Sequence, residues 1–250
     1  MNRRNFFQKT ALAGIAAVSF PEIIHAAMPE ANFLVKKSFR KGEVILLQGD
    51  SITDCGRSRD SQNIANNQSQ IGSGYTLFTA ANILANQADK ELKIYNRGIS
   101  GNKVYQLAER WDEDCLSLKP DYLSILIGVN DFWHTKSHDY KGTAETYEKD
   151  YTNLIERTKK ALPDIKIIIC EPFIIHGGKA LDDTWEPAFA PYRKAAKRIS
   201  KKFDFSFVPF QSIFIEALKK APAAYWGEDG VHPSLAGAQL MAQALLNVLR

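Results

Sequence analysis

The chain alternates short apolar runs with longer segments in which apolar residues recur every three or four positions. The short runs are rich in Val, Ile and Leu, and the first three are followed closely by a glycine. This pattern is typical of strands that are buried on both faces of a parallel sheet. Five strands are predicted, at residues 44–48, 93–96, 122–127, 165–170 and 205–208.

The longer segments predict helices between these strands, at residues 75–88, 104–118, 143–162, 188–203 and 235–249. Strands that alternate with helices form parallel βαβ units with right-handed crossovers. We therefore expect a three-layer α/β/α fold with a flavodoxin-like parallel sheet of about five strands. No linker or repeat divides the sequence, so residues 28–250 are predicted to form a single domain.

Residues 1–27 have the pattern of an export signal. The paired arginines Arg3 and Arg4 precede a short apolar run at residues 11–20, and small residues suited to cleavage occupy positions 26 and 27. The paired arginines resemble a twin-arginine signal, and a general secretory signal or an amphipathic helix are the alternatives. Because the apolar run is too short for a stable membrane span, we expect a periplasmic or secreted protein.

Composition and charge exclude several other functions. The chain has 250 residues, of which 45% are hydrophobic, and a formal net charge of +4. Without a basic stripe interleaved with aromatic residues, nucleic-acid binding is not expected. The three cysteines, Cys55, Cys115 and Cys170, are widely separated and form no CxxC motif. No His, Cys or carboxylate cluster has ligand spacing, so a metal site is not expected.

The first predicted strand ends at Gly-Asp-Ser, residues 49–51. A serine placed directly after a buried strand can present its hydroxyl at the edge of the sheet, where it could act as a nucleophile. The alternative is that Ser51 is only the N-cap of a helix, since Ser51 and Asp54 have the spacing of a capping box.

The second and third strands are followed by Gly-Ile-Ser-Gly-Asn at residues 98–102 and by Gly-Val-Asn-Asp at residues 128–131. The backbone N–H of Gly101 and the side-chain amide of Asn130 could donate hydrogen bonds to an oxyanion. The alternatives are a flexible glycine turn and an ordinary capping or turn residue.

Near the C-terminus, Asp229 lies three residues before His232 on a loop that contains a glycine. An aspartate at this spacing can hold the imidazole in one tautomer, and the alternative is a plain surface turn. In a parallel sheet the carboxyl ends of the strands open on one face, and residues 226–232 precede the last helix on that face. Ser51 and His232 are therefore expected to meet there, as a nucleophile and a base do in acyl transfer.

The four blocks resemble those of the SGNH (GDSL-type) hydrolases in order and separation, over nearly all of the chain after the export segment. The resemblance implies that Ser51 is the nucleophile, His232 the base and Asp229 the orienting acid. It also implies an oxyanion hole formed by the N–H groups of Ser51 and Gly101 and the amide of Asn130. The implied activity is carboxylester hydrolysis through an acyl-enzyme, without a cofactor or metal.

Residues 49–57, 96–102 and 127–133 look in particular like the bacterial acetylxylan esterase branch. This likeness implies removal of acetyl groups from xylan or a related carbohydrate, or from another small ester. Two alternatives stay open: a lysophospholipase or thioesterase on the same scaffold, and a non-catalytic carbohydrate-binding protein. Related esterases assemble into higher oligomers, so a homo-oligomer is compatible with the resemblance, although no interface can be read from the chain.

Polar and aromatic side chains near the expected site are candidates for binding a sugar. An aromatic ring can serve as a platform for a sugar, and the alternative for each ring is an ordinary place in the core. The predicted substrate-binding residues are Asp50, Trp133, His134 and Trp226, with Tyr75 and Trp185 as further aromatic candidates.

Overall fold

The five strands are β1 (Val44–Gly49), β2 (Lys93–Asn96), β3 (Tyr122–Leu126), β4 (Lys166–Cys170) and β5 (Ser206–Val208). They form one parallel sheet in the order β2-β1-β3-β4-β5, which is the flavodoxin-like winding and confirms the predicted fold class. The structure is a computed structural model that describes residues 20–29 and 39–249. Residues 1–19 of the predicted export segment lie outside the described residues.

The helices lie on both faces of the sheet and at its ends. Two single 3-10 turns, Ala88–Lys90 and Leu116–Leu118, complete the regular structure of the described ranges. The α-helices are α1 (Phe20–Ala27), α2 (Ser51–Asp54), α3 (Gln68–Ile71), α4 (Tyr75–Asn86), α5 (Val104–Glu109), α6 (Trp111–Asp114), α7 (Val129–Ser137), α8 (Ala144–Ala161), α9 (Trp185–Lys202), α10 (Phe210–Leu218), α11 (Ala223–Trp226) and α12 (Leu235–Leu249).

The sheet is covered by two helical layers. On one face α4 packs against α12, and on the other α8 packs against α5 and α9. The central strands are apolar on both sides because both faces are covered: Ile45 and Leu46 of β1 and Leu123 of β3 are fully buried. The carboxyl ends of the central strands are in register, with Gly49 opposite Leu126. The loops that follow β1 and β3 therefore begin side by side.

The structure differs from the predicted helices in several places, which include the short helices α2, α3 and α11. The single helix expected over residues 104–118 is interrupted at Arg110, whose backbone (φ −106°, ψ 9°) leaves the helical conformation between α5 and α6. The residues after Gly128 form α7, where no helix was predicted, because Gly128 adopts φ +136° and redirects the chain into a helix at once. Helix α10 was not predicted, although its buried residues Phe210, Ile213, Phe214 and Ala217 recur at the three- and four-residue spacing of a helix.

Helix α1 packs against α10 and α12. Its side chains Ile23 and Ile24 are buried, as is Met28 just after it. The predicted boundary between the export segment and the domain, at residues 27 and 28, therefore follows the last residue of a packed helix. None of the helices in the described ranges has the length and hydrophobicity needed to cross a membrane.

Candidate active site

The first site element is the turn from β1 into α2. The side chain of Asp50 caps α2, because its Oδ1 accepts a hydrogen bond from the Ile52 N–H at 3.0 Å. Ser51 is therefore the first residue of the helix and not its cap. Glycine is required before this turn, because a Cβ on Gly49 would lie 2.3 Å from Thr53 Oγ1. The hydroxyl of Ser51 is left to face the edge of the sheet.

Ser51, His232 and Asp229 form a continuous hydrogen-bonded chain. Ser51 Oγ lies 2.8 Å from His232 Nε2, and His232 Nδ1 lies 2.7 Å from Asp229 Oδ2. The second carboxylate oxygen of Asp229 accepts the backbone N–H groups of Val231 and His232, both at 2.8 Å. The loop before α12 thus orients the carboxylate, and the carboxylate orients the imidazole.

The surroundings of Asp229 keep its carboxylate ionised. Partial burial by itself opposes ionisation, but the hydrogen bonds from His232 and from the backbone outweigh it and lower the pKa of Asp229 below its usual value. A carboxylate facing Nδ1 stabilises the tautomer with the proton on that nitrogen. The lone pair of Nε2 then faces Ser51 Oγ, which is the arrangement needed to accept the hydroxyl proton.

The predicted oxyanion donors lie on the loops after β2 and β3. Gly101 adopts φ +81° in the loop of residues 97–103, called here the β2–α5 loop. Asn130 is 5% exposed and lies at the start of α7. One of its amide hydrogens is donated to the carbonyl of Asn102, with Nδ2 and O separated by 3.2 Å. This bond holds the Asn130 side chain against the loop that carries Gly101.

Two arginines hold the β2–α5 loop by hydrogen bonds to its backbone carbonyls and to the side chain of Asn102. Arg57 Nε donates to the Gly98 carbonyl at 2.7 Å, and Arg57 is only 6% exposed. Arg110 donates to the Arg97 carbonyl at 2.8 Å and to Asn102 Oδ1 at 2.9 Å. Bidentate guanidinium groups are suited to this task because their donors have a fixed geometry. Neither arginine was singled out from the sequence.

Asp54 anchors the same loop from α2. Its Oδ2 accepts the Ser100 N–H at 2.9 Å and the Ser100 hydroxyl at 3.0 Å. In the sequence Asp54 was read only as half of a capping box with Ser51. The available signal was the unusually long polar segment that begins at Asp54, which predicts a structured functional loop.

Two carboxyl groups are buried beneath the site. Asp50 and Asp131 are 1% and 2% exposed, and burial raises the pKa of each to about 7. Asp131 Oδ1 accepts the Val104 N–H at 3.1 Å, which ties α7 to the start of α5. Both groups serve as local anchors, since their hydrogen bonds go to the backbone of neighbouring turns.

The predicted substrate-binding aromatic residues have different environments. Trp226, Tyr75 and Trp185 are 1–3% exposed, so their rings belong to the core. Trp133 is half-buried and packs edge-on against Trp185, with ring centroids 5.4 Å apart. His134 is also half-buried and lies beside the β2–α5 loop. Assignment of substrate contacts to Asp50 and these residues stays a prediction.

An open groove of about 520 Å³ borders His232. Lys179 and Glu228 form an ion pair at its wall. No group of three or more His, Cys, Asp or Glu side chains in the described ranges is arranged to hold a metal ion. The groove is lined by Lys179, Ala224, Glu228, Asp229, His232 and Ser234.

The sequence matches the model of the GDSL-like Lipase/Acylhydrolase family over residues 47–240. The chain belongs to this family. It is 36% identical over 213 residues to an acetylxylan esterase of Geobacillus stearothermophilus, which covers 82% of this chain and 93% of the relative. The family match and the identity to this esterase together show that the chain is a carboxylic ester hydrolase.

Solved structures of similar proteins support the same family. A candidate GDSL-like lipase from Parabacteroides merdae is 56% identical and has a TM-score of 0.83, covering 86% of this chain and 98% of that chain. The acetylxylan esterase from G. stearothermophilus has a TM-score of 0.76 at 33% identity, covering 85% and 96%. Further structures of that esterase are catalytic mutants in which a serine, a histidine or an aspartate is replaced by alanine.

Proposed function

We propose that this hydrolase removes short acyl groups, chiefly acetyl, from acetylated xylan or a related carbohydrate. The observation that carries the proposal is the hydrogen-bonded chain from Ser51 Oγ through His232 to the Asp229 carboxylate. Ser51 attacks the ester carbonyl while His232 accepts its proton, and an acyl-enzyme forms as the alcohol leaves. Water then attacks the acyl-enzyme by the same route, and His232 returns the proton to Ser51.

The oxyanion that develops on the carbonyl is held by three donors. These are the backbone N–H groups of Ser51 and Gly101 and the free amide hydrogen of Asn130. The other amide hydrogen of Asn130 is occupied by the Asn102 carbonyl, so the side chain is oriented before the substrate binds. No step requires a metal or an organic cofactor.

The direction of proton transfer indicates where the alcohol binds. His232 must deliver its proton to the leaving oxygen, so the alcohol lies on the side of the imidazole, next to the open groove. The lysine, glutamate and serine of that groove suit the hydroxyl groups of a sugar better than a hydrocarbon chain. This favours a polar alcohol over a lysophospholipid or another long-chain ester.

The catalytic mutants of the G. stearothermophilus esterase support the same three roles. Its substituted aspartate and histidine are three residues apart, which is the spacing of Asp229 and His232. The description of that esterase as an acetyl-xylooligosaccharide esterase supports the acetylated sugar as substrate.

We also propose that the chain is exported, with residues 1–27 as the signal and residues 28–250 as one hydrolase domain. The paired arginines, the apolar run and the small residues at positions 26 and 27 support this. N-terminal sequencing of the protein recovered from cell fractions is expected to give a periplasmic or secreted chain that begins at residue 28. Recovery of a cytoplasmic chain that retains residues 1–27 would contradict the proposal.

The proposed activity is tested by measuring acetate release from acetylated xylan and xylo-oligosaccharides, with acetylated pectin and p-nitrophenyl acetate as comparisons. We expect turnover of the xylan substrates, loss of turnover in Ser51→Ala, and labelling of Ser51 by a fluorophosphonate in the wild type only. Sugar binding without turnover or labelling would instead indicate a carbohydrate-binding protein.

A second comparison tests the acyl chain. The rate constant kcat/KM is expected to fall from p-nitrophenyl acetate to the octanoate and further to the palmitate. A preference for the long chains would overturn the acetyl assignment and favour a lysophospholipase or thioesterase.

A further inference from the structure

Lys103 and His134 form a pair beside the proposed oxyanion hole. Lys103 ends the β2–α5 loop that carries Gly101, and His134 lies one helical turn after Asn130 on α7. Lys103 Nζ is 3.1 Å from His134 Nδ1. Lys103 is only 6% exposed and His134 is half-buried, so the contact is shielded from water.

The chemistry of the two groups determines where the proton of His134 lies. An ammonium group has three N–H donors and no lone pair, so Lys103 must donate and His134 Nδ1 must accept. A neutral imidazole that accepts at Nδ1 carries its hydrogen on Nε2. Protonation of Nδ1 would break this bond and place two cations side by side.

The groups around the imidazole also oppose its protonation. Burial, then the charge of Lys103, then His138 lower the pKa of His134 to about 4. His138 is on the same helix, with its ring centroid 4.3 Å from that of His134. His134 is therefore neutral in the neutral pH range.

The ammonium of Lys103 has its own support. It lies 5.4 Å from the ring centroid of Tyr105 on α5 and 5.3 Å from that of Tyr140, which follows α7. Asp131 is the carboxyl group that favours its charge, although burial acts more strongly and lowers the pKa of Lys103. These contacts hold Nζ against the imidazole.

The Cε1 atom of His134 lies next to Gly101 of the proposed oxyanion hole. If Gly101 carried a Cβ, the atom nearest to it would be His134 Cε1, at 3.8 Å. Nε2 is bonded to that carbon, and no group of the described residues hydrogen-bonds to it. A neutral N–H donor without a protein partner thus lies at the rim of the oxyanion hole.

We propose that Lys103 is a positioning residue that holds His134 as a neutral Nε2–H donor, and that His134 donates this hydrogen to a hydroxyl or ring oxygen of the bound sugar. The substrate contact rests on the proposed function, whereas the Lys103–His134 pair does not. The consequence is a site that distinguishes a sugar ester, which carries such an acceptor oxygen near the scissile bond, from a simple aryl ester.

The pair is tested by long-range ¹H–¹⁵N spectra of the imidazole groups across about pH 5 to 8. The His134 signals are assigned by their absence in His134→Gln. We expect the Nε2–H tautomer without titration in the wild type, and titration at a higher pH in Lys103→Met. Lys103→Arg, which keeps a donor-only cation, should resemble the wild type. An Nδ1–H tautomer, or equal titration in the wild type and Lys103→Met, would overturn the pair.

The substrate contact is tested by the ratio of kcat/KM for an acetylated xylo-oligosaccharide to that for p-nitrophenyl acetate. His134→Leu should lower this ratio about fivefold, which corresponds to one lost hydrogen bond. His134→Gln, which keeps an N–H near the position of Nε2, should restore part of the ratio. Asn153→Leu, a polar-to-leucine change at an exposed position of α8, serves as the control and should leave the ratio unchanged.

An unchanged ratio in His134→Leu, or no rescue by His134→Gln, would overturn the substrate contact. If the wild type hydrolyses neither ester, the proposed function itself fails. In that case the spectra still determine whether Lys103 holds His134 in the neutral Nε2–H form, so the two failures are distinguishable.

Discussion

At the scale of single residues, the site depends on side chains that are oriented by a hydrogen bond to the protein. Each keeps a second hydrogen or lone pair that faces the site. Asn130 gives one amide hydrogen to the Asn102 carbonyl, and in the proposed mechanism the other is donated to the oxyanion. His232 gives Nδ1–H to Asp229 and keeps the Nε2 lone pair for Ser51. Such orientation before binding avoids reorganisation during the reaction, which is why preorganised donors stabilise a transition state strongly.

Asn130→Ala is expected to lower kcat for p-nitrophenyl acetate about 10²- to 10³-fold with a small change in KM, because the lost donor acts on the developing oxyanion. Steady-state kinetics measure this effect. Asn153→Ala, an exposed asparagine on α8, is the control and should retain wild-type kinetics. A decrease in kcat below about threefold for Asn130→Ala would contradict its role in the oxyanion hole.

Asp131 is expected to make the protein less stable as the pH rises from about 4 to about 7. Burial raises the pKa of Asp131 to about 7 in the folded state, from 3.8 in its usual surroundings, so in this range the folded state binds the proton that the unfolded state has lost. The stability that the protonated Asp131 contributes is fully present below its unfolded pKa of 3.8. It is lost as the pH rises through the folded pKa of about 7.

Asp131→Asn removes this titration while keeping an oxygen that can accept the Val104 N–H. The slope of the unfolding free energy against pH should become less negative by up to about 1.4 kcal/mol per pH unit. Denaturant unfolding at pH 4, 5, 6 and 7 measures the slope. Parallel curves for the two proteins would show that Asp131 does not hold a proton in the folded state.

At the scale of elements, the catalytic groups are placed by the ends of strands and the starts of helices. Asp50 caps α2 and so fixes Ser51, and Gly128 redirects the chain from β3 into α7 and so fixes Asn130. Gly128 has little room: a Cβ there would lie 3.0 Å from Pro172 and 3.1 Å from Tyr147. A short turn between a buried strand and a helix thus determines where the proposed oxyanion donor Asn130 lies.

Gly128→Ala is expected to destabilise the protein and to lower kcat, because relief of these contacts displaces Asn130. Gly42→Ala is a matched control: Gly42 also has a positive φ, +79°, but no atom lies within 4 Å of its Cβ position. We expect about 1–2 kcal/mol of strain in Gly42→Ala and about 1–3 kcal/mol more in Gly128→Ala. Denaturant unfolding and steady-state kinetics measure both, and equal effects in the two variants would contradict the steric explanation.

At the scale of the whole molecule, the parallel sheet brings distant parts of the chain to one edge. Ser51 and His232 are 181 positions apart in the sequence, yet their side chains are joined by a hydrogen bond of 2.8 Å. The last helix, α12, packs against α4 and β5, so the loop before it is held at the carboxyl edge of the sheet. The C-terminal part of the fold therefore positions the base relative to the nucleophile.

The chain that retains α1 is expected to be more stable than the chain that begins at residue 28. Ile23 and Ile24 are 3% and 1% exposed against α10 and α12, and their burial contributes about 3–6 kcal/mol before the entropy of ordering the helix is subtracted. Denaturant unfolding of the two purified chains measures the difference. Equal stability would contradict the packing of α1, whereas the esterase activity of both chains should be the same.

The sequence by itself was sufficient to predict the fold class and the placement of Ser51, Asn130 and His232 at one edge of the sheet. A strand appears in the sequence as an alternating or continuous apolar run, and a helix as apolar residues spaced three or four positions apart. Neighbouring residues are therefore sufficient to predict both. Motifs such as those at Ser51, Asn130 and His232 follow strands or precede a helix, so the winding rule of parallel sheets brings them to one edge. Their catalytic roles follow from the resemblance and stay predictions.

Only the tertiary structure determined what lies behind and beside those residues. Arg57 and Arg110 hold the β2–α5 loop, and Lys103 fixes the proton of His134, through contacts between segments that no local pattern links. Trp226 looked like a sugar platform in the sequence, but its ring is buried. Periodicity is a property of neighbouring positions, whereas burial and charge pairing depend on which distant side chains pack together, and only the folded chain determines that.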